Sequence, residues 1–461
     1  MNISVIGLGK LGSCLASVLA HKGNMVIGVD LNVQTVRLVN MGKAPVFEPG
    51  LDVLIRRSQA RLFATASYKE AIAKTDITFI VVPTPSEEHG GFTLRHVLAA
   101  AESIGKVLRH KDGFHLVVLI STVMPGATEG EVLPALEVYS GKRCGRDFGL
   151  CYNPEFIALG SVIRDLLNPE FILIGESDTA SGDMLASIYH KLCDKPPLTA
   201  RMNFVNAELT KLAVNTFLTT KISYANMLAQ VCELLPGADV DIVTSALGLD
   251  SRIGAKYLKG AIGYGGPCFP RDNLALIHLA RQLGIRAILA EATDQLNRQQ
   301  ITRLAKVLLH KLPKGGRVGI LGLSYKPNTD IIEESQGLGL ARHLLGCGVP
   351  VVLYDPAAMD NARHALGEDA VFARSIAECT RQVDVVVVTT PWDEFRNMSP
   401  GDLNYSNGRP TLVDCWSALD RVKFEQVADY ITLGTGPRIT QHPPSIPRKR
   451  SGVADGVDTF E

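Results

Sequence analysis

The stretch "ISVIGLGKLG", residues 3–12, is a β-branched run that ends in three glycines, Gly7, Gly9 and Gly12, spaced G-x-G-x-x-G. Its surroundings make it more than a turn. "CLASVLAHKG" (14–23) continues with apolar residues at helical intervals, and "NMVIGVD" (24–30) returns as a strand closing on Asp30, the outline of a βαβ unit. In that setting the glycines permit a tight turn and let backbone N–H groups and a helix N-terminus approach a pyrophosphate. The acid at the end of the second strand accepts hydrogen bonds from ribose hydroxyls. Gly7, Gly9, Lys10, Leu11, Gly12 and Asp30 are therefore candidate dinucleotide-binding residues. A 2′-phosphate would meet the charge of Asp30 and no arginine follows directly to offset it, so NAD is expected rather than NADP.

The same phrases recur further along. "TDITFIVVPTP" (75–85) is another buried strand, and near the C-terminus "GRVGILGLSYK" (316–326), "VPVVLYDP" (349–356) and "VDVVVVTTP" (383–391) repeat the strand, the glycine turn and the closing acid, now Asp355. The expected fold is α/β, with two Rossmann-like doubly wound lobes joined by a central long-helix region. Residues 206–235 contain no Gly or Pro and carry apolar residues at helical intervals up to Pro236 and Gly237, which predicts one long helix suited to packing between lobes or to a dimer seam. A second long helix is expected over 287–312. The expected divisions are an NAD-binding lobe at 1–200, a central helical domain at 201–310 and a second Rossmann-like lobe at 311–435. From 436 to 461 there is little to bury, and a disordered tail is expected.

Composition narrows the function. At 461 residues the chain is about three domain lengths. Its 47 basic residues equal its 47 acidic ones, so the long-range attraction that nucleic acid or an anionic membrane demands is missing. No apolar run approaches the ~20 residues of a membrane span. The chain opens straight into a strand without a charged leader, and a cytoplasmic protein is expected. Nine scattered cysteines without a Cys-x-x-Cys pair fit a reducing compartment and argue against a structural zinc or other metal.

Five segments carry candidate chemistry. "PTP" (83–85), "STVMPG" (121–126) and "NPEF" (153–156) each follow an apolar run, so Thr84, Thr122 and Glu155 are expected at the carboxyl ends of strands, where doubly wound sheets bind ligands. Turn composition alone also accounts for such residues. Glu155 beside a nicotinamide suits a general base, although a lone Glu in a turn is commonly just solvated. Lys211 and Asn215, spaced i and i+4, share one face of the long helix; a solvated lysine is the plain alternative to one that holds an alkoxide. In "GYGGPCFPRD" (263–272) glycines would let the backbone come close to a ligand, while Pro267 and Pro270 stiffen the loop around Cys268. A buried structural cysteine is the common fate. The functional alternative is a nucleophile that adds to an aldehyde, passes through a thioester and yields an acid after two oxidations.

Together with "EPGL" (48–51), "ELTKLAVNTF" (208–217), "SRIGAKYLKGAIGYGGPCFPRD" (251–272) and "GLSYKPNTD" (322–330), these motifs resemble, over about residues 1–435, the UDP-glucose/GDP-mannose dehydrogenase family, its UDP-glucose branch in particular. The resemblance implies that Cys268 forms the thioester, Lys211 and Asn215 stabilise the oxyanion, Asp272 assists proton transfers and water, Glu155 is the base in thioester hydrolysis, and Thr122 positions water near the cofactor. It implies that Arg252, Tyr257, Lys259 and the Tyr264–Gly265 backbone hold the nucleotide sugar, Arg252 reaching across a dimer, and that Lys326 joins from the C-terminal lobe. UDP-glucose would be the substrate of a homodimer or larger homo-oligomer, with UDP-N-acetyl sugars and GDP-mannose as alternatives. The chain departs from the family pattern at Leu159, where a second Glu is usual, and at Glu333, where an Arg is common. A two-electron dehydrogenase of the 6-phosphogluconate type, which would not need Cys268, and a non-catalytic nucleotide-sugar sensor are the competing classes.

Overall fold

The β-branched runs pair into two separate sheets in a computed structural model that describes residues 1–381, 383–403 and 409–438. The first contains β1 (Asn2–Ile6), β2 (Met25–Val29), β3 (Leu62–Thr65), β4 (Ile77–Ile80), β5 (His115–Leu119), β6 (Phe148–Tyr152), β7 (Ile172–Glu176) and β8 (Thr199–Met202). Their order is β3-β2-β1-β4-β5-β6-β7-β8, parallel throughout except between β6 and β7. The second contains β9 (Val318–Leu321), β10 (Val351–Tyr354), β11 (Val371–Phe372), β12 (Val385–Val388), β13 (Thr411–Asp414) and β14 (Asp429–Thr432), in the order β11-β10-β9-β12-β13-β14 and all parallel. Helices cover both faces of each sheet, which is why β4, β5, β9 and β12 read as unbroken buried runs. The first strand order reverses between β1 and β4, and that switch point is where the glycine turn and Thr84 emerge together.

Helix Phe204–Leu234 separates the lobes. It begins two residues before the expected start because the Asn203 side chain accepts the Asn206 N–H and caps it. At 31 residues it is about 46 Å long, and it packs beside helices Phe269–Gln282 and Ile288–Lys311. Its buried face includes Glu208, Lys211 and Asn215, whereas Leu209, Phe217, Tyr224, Met227, Val231 and Leu234 stay exposed. Among the described residues no helix is long and apolar enough to cross a membrane.

Residues 436–438, expected in a disordered tail, are bound to the fold. Gly436 N–H donates to the Ala238 carbonyl at 2.9 Å, Pro437 accepts from Gly237 N–H at 2.8 Å, and Arg438 pairs with Glu425 at 2.6 Å. These partners lie beyond the helix end at 234, so composition alone missed them; residues 439–461 lie outside the described residues.

The echo between the lobes is geometric but not chemical. A Cβ on Gly12 would stand 1.9 Å from the Gly7 carbonyl, and one on Gly337 would stand 2.1 Å from the Gly322 carbonyl, so each helix packs on its glycine turn in the same way. The closing acids differ. Asp355 is buried, and its carboxylate accepts from the N–H groups of Leu323, Ser324, Ala357 and Ala358, the Ser324 hydroxyl and the Trp392 indole. It is committed to the fold. Asp30 is half-buried and, among the described residues, accepts from Leu8 N–H and Asn32 N–H alone, both at 2.8 Å, leaving lone pairs for a ligand.

Candidate active site

The cofactor end is set by the glycine turn. A Cβ on Gly7 would stand 2.5 Å from the Val81 carbonyl, whereas one on Gly9 would meet nothing within 4 Å. Gly9 thus faces open space at the N-terminus of helix Lys10–His21, and with Asp30 at the next strand end the residues fit a dinucleotide. Leu11 is half-buried against the core of the first lobe. Lys10 is engaged by the other lobe, in an ion pair with Asp330. Asp30→Asn should raise the KM for NAD and narrow the preference for NAD over NADP by about tenfold each, about 1.4 kcal/mol, read from kcat/KM with both cofactors.

Thr84 and Thr122 stand at the ends of β4 and β5, joined by a hydrogen bond from the Thr84 hydroxyl to the Thr122 carbonyl at 2.7 Å. Glu155 follows β6, with Oε1 2.9 Å from the Tyr189 hydroxyl. Burial pushes its carboxyl up to about 7, against the Tyr189 hydrogen bond and the charge of Lys211, which both pull it down. A carboxyl there divides its time between acid and base near neutral pH.

Lys211 is almost fully buried, with Nζ 2.7 Å from the Glu155 carbonyl and 4.7 Å from the centre of the Phe156 ring. One turn on, the Asn215 amide donates to Asp272 Oδ2 at 2.5 Å, while Asp272 Oδ1 lies buried without a hydrogen bond, 3.5 Å from Arg271 Nε. Cys268 caps helix Phe269–Gln282, which carries Asp272 in its first turn. The residue is exposed in this chain, while the protein around its thiol desolvates the sulfur. That desolvation raises its pKa first and Asp272 raises it further, while Lys211 and Arg271 pull it down. Cys268, Lys211, Asn215, Asp272 and Glu155 thus form one continuous cluster across three elements.

The glycines of the cysteine loop serve neighbours already present in the chain. Cβ atoms at Gly263, Gly265 and Gly266 would stand 2.5 Å from Asn297 Oδ1, 2.2 Å from the Glu334 carbonyl and 2.5 Å from the Tyr325 ring. Sequence could not separate close approach to a ligand from close approach to the other lobe. Asn297 accepts from Tyr264 N–H at 2.8 Å and donates to its carbonyl at 3.0 Å, so it reads the loop as a strand partner would.

The remaining candidates are spread wider. Lys326 lies half-buried on the C-terminal lobe, its ammonium 5.8 Å from the centre of the Tyr325 ring and, among the described residues, without an ion pair. Burial lowers its pKa, and Asp165 and Glu48 oppose that. Tyr257 takes a left-handed φ of 65°, strained for a side chain of its size. Arg252 is exposed and paired with Asp250 at 2.6 Å, and Lys259 is paired with Asp241 at 2.6 Å; within one chain neither joins the cluster. Leu159 packs against the core of the first lobe. Glu333 is exposed and its carbonyl accepts from Gly266 N–H at 3.0 Å.

Sequence reading missed Tyr189, Asp330, Arg271 and Glu48. Arg271 lies 4.5 Å above the Phe92 ring and donates to the Thr84 carbonyl at 3.2 Å, linking the cysteine helix to the cofactor side. Glu48, in the quoted "EPGL", accepts from the N–H groups of Gly160 and Val162 at 2.8 and 2.9 Å and so holds the loop that follows Glu155. A cavity of about 630 Å³ lined by Asn40, Phe63 and Glu70 lies along edge strand β3 and contains none of these residues.

Comparison with known proteins agrees with this geometry. The UDP-glucose/GDP-mannose dehydrogenase family matches in three parts, its NAD binding domain at residues 1–193, its central domain at 205–299 and its UDP binding domain at 319–421. The UDP-glucose 6-dehydrogenase AglM of Haloferax volcanii is 39% identical over 399 residues, 86% of this chain and 92% of that protein. A GDP-mannose 6-dehydrogenase of Pseudomonas putida is 32% identical over 413 residues, 87% of this chain and 93% of that protein. The solved structure of a UDP-glucose dehydrogenase from Pyrobaculum islandicum superposes with a TM-score of 0.84 at 37% identity, covering 94% of this chain and 97% of that one.

Proposed function

This chain belongs to the UDP-glucose/GDP-mannose dehydrogenase family and is an NAD-dependent oxidoreductase, and from that premise we propose that it oxidises UDP-glucose at C6 to UDP-glucuronate through a thioester on Cys268. The observation that best supports this reading is an exposed cysteine at a helix N-terminus, its thiol under the charge of a buried lysine that makes no ion pair with a carboxylate among the described residues.

NAD, when bound, accepts hydride in each of the two oxidations. Asp272 and water take the hydroxyl proton as the alcohol becomes an aldehyde. Cys268 Sγ then bonds to the aldehyde carbon, its proton passes to the carbonyl oxygen, and Lys211 and Asn215 donate to that oxygen as it gains charge. Loss of the second hydride, with the hydroxyl proton passing to Asp272 and on to water, leaves the thioester. Water held near Thr122 gives its proton to Glu155 and attacks, the C–S bond breaks, and the acid leaves with the thiol restored. The raised carboxyl of Glu155 suits this last step, since above about pH 7 it is a base.

Lys326, without an ion pair among the described residues, suits an anionic or hydroxyl-rich ligand arriving under the C-terminal lobe, and Tyr257 and the Tyr264–Gly265 backbone belong to the same proposed sugar-nucleotide site. Arg252 and Lys259 belong to this proposal only in a homodimer, for which the exposed apolar face of helix Phe204–Leu234 is a suitable seam. The experiment is stoichiometry across a panel of nucleotide sugars. Two NADH per UDP-glucose consumed are expected, with a higher kcat/KM than for GDP-mannose or UDP-N-acetyl sugars. A reproducible value of one would remove the thioester route, and preference for another sugar would move the substrate but not the mechanism.

A further inference from the structure

We propose that Glu208 is a positioning residue for the reaction, tying the loop that carries Thr122 to the helix that carries Lys211. The inference rests on the site reading above. Glu208, Lys211 and Asn215 stand at i, i+3 and i+7, one face of the helix. The amine and the amide on this face point into the reaction site, whereas the carboxylate one turn earlier reaches the loop after β5. It is fully buried, its Oε2 accepting from Gly126 N–H at 2.6 Å and its Oε1 from Thr128 N–H at 2.8 Å. Among the described residues it has no ion pair.

At the start of this loop the Ser121 hydroxyl donates to the Val82 carbonyl at 2.6 Å and the Thr122 carbonyl accepts from Thr84 at 2.7 Å. Further on, Val123 and Ala127 are buried in the core and Ala127 N–H closes a turn on the Met124 carbonyl at 3.0 Å. Among the described residues Glu208 is the side chain that ties the Gly126–Thr128 backbone to the long helix. Burying a carboxylate without a cation is costly unless strong donors replace its water. Two backbone N–H groups, both aimed at one side chain, do so, and they make the link rigid in two directions. Glu48 straddles alternate N–H groups, those of Gly160 and Val162, on the loop after Glu155 in the same manner. Both loops that bring reacting groups to the crevice are thus held by a buried glutamate. Glu208 differs in being on the same rigid element as the amine, so the spacing between Thr122 and Lys211 is set through one side chain.

The test is Glu208→Gln, alone and with Thr122→Ala, in the full-length enzyme. The amide keeps the size but offers its oxygen to one N–H only and turns an NH₂ group toward the other. With folded protein quantified by circular dichroism and gel filtration, kcat should fall about 10- to 100-fold, as a loop displaced by about 1 Å implies, with the KM for UDP-glucose within about twofold. In the Thr122→Ala background most of that loss should vanish, because coupled residues do not add. Glu208→Gln with a lowered melting temperature but wild-type kcat would reduce the residue to a structural cap and overturn the inference. So would a full, additive loss in the Thr122→Ala background. Thr122→Ala turning over normally would instead strike the site reading, and this inference with it.

Discussion

Cys268→Ser should end formation of the acid while leaving the fold in place. Cys268 is exposed in this chain, and among the described residues its thiol makes no hydrogen bond that serine would break, so the melting temperature should move by no more than a few degrees. The chemistry has no such tolerance. A serine hydroxyl in this setting lacks a strong base and meets the same desolvation and the same Asp272 that already hold the thiol above its ordinary pKa. With the covalent step gone, acid production should fall about a thousandfold or more. Product analysis by chromatography checks it: UDP-glucuronate formed at a normal rate by the serine variant would exclude a nucleophilic Cys268.

Lys211→Met should lower kcat by about 10²- to 10³-fold, the loss seen when one donor to a developing oxyanion is removed. Methionine keeps an unbranched stem against Phe156, so the packing survives and the charge does not. KM for the nucleotide sugar should change little, because the interaction strengthens only as the oxygen gains charge. Arginine should not rescue, since a planar fork cannot enter a site built for a compact ammonium. A pH signature accompanies the loss. Lys211 pulls down both Glu155, which stands at about 7, and the Cys268 thiol. Without it both rise, the base and the thiolate each need higher pH, and the profile of kcat should shift to the alkaline side. An unshifted profile would place Lys211 outside the electrostatics of the site.

Regular patterns are local, and they were legible. The runs around Gly7 and Gly322 each announced a strand, a turn and a helix within a few tens of residues, and the Gly-free span before Pro236 announced the long helix. Cys268, Lys211 and Asp272 stood out because a thiol in a stiff loop and an amine on an apolar helix conflict with their surroundings, and such conflict marks a site. The sequence could not say which polar residues the fold would consume. Asp30 and Asp355 close matching strands, yet one keeps free lone pairs and the other is saturated by Trp392, Ser324 and four backbone N–H groups.

The amino-acid order by itself determined two Rossmann-like units and a long helix between them, because hydrophobic period and glycine turns act over neighbouring residues. Only the tertiary structure decided that Thr84 meets Arg271, that Lys10 pairs with Asp330, and that Glu48 and Glu208 grip the loops after Glu155 and Thr122. Those contacts join positions up to 320 residues apart. They follow from strand order and lobe closure, which no local period encodes.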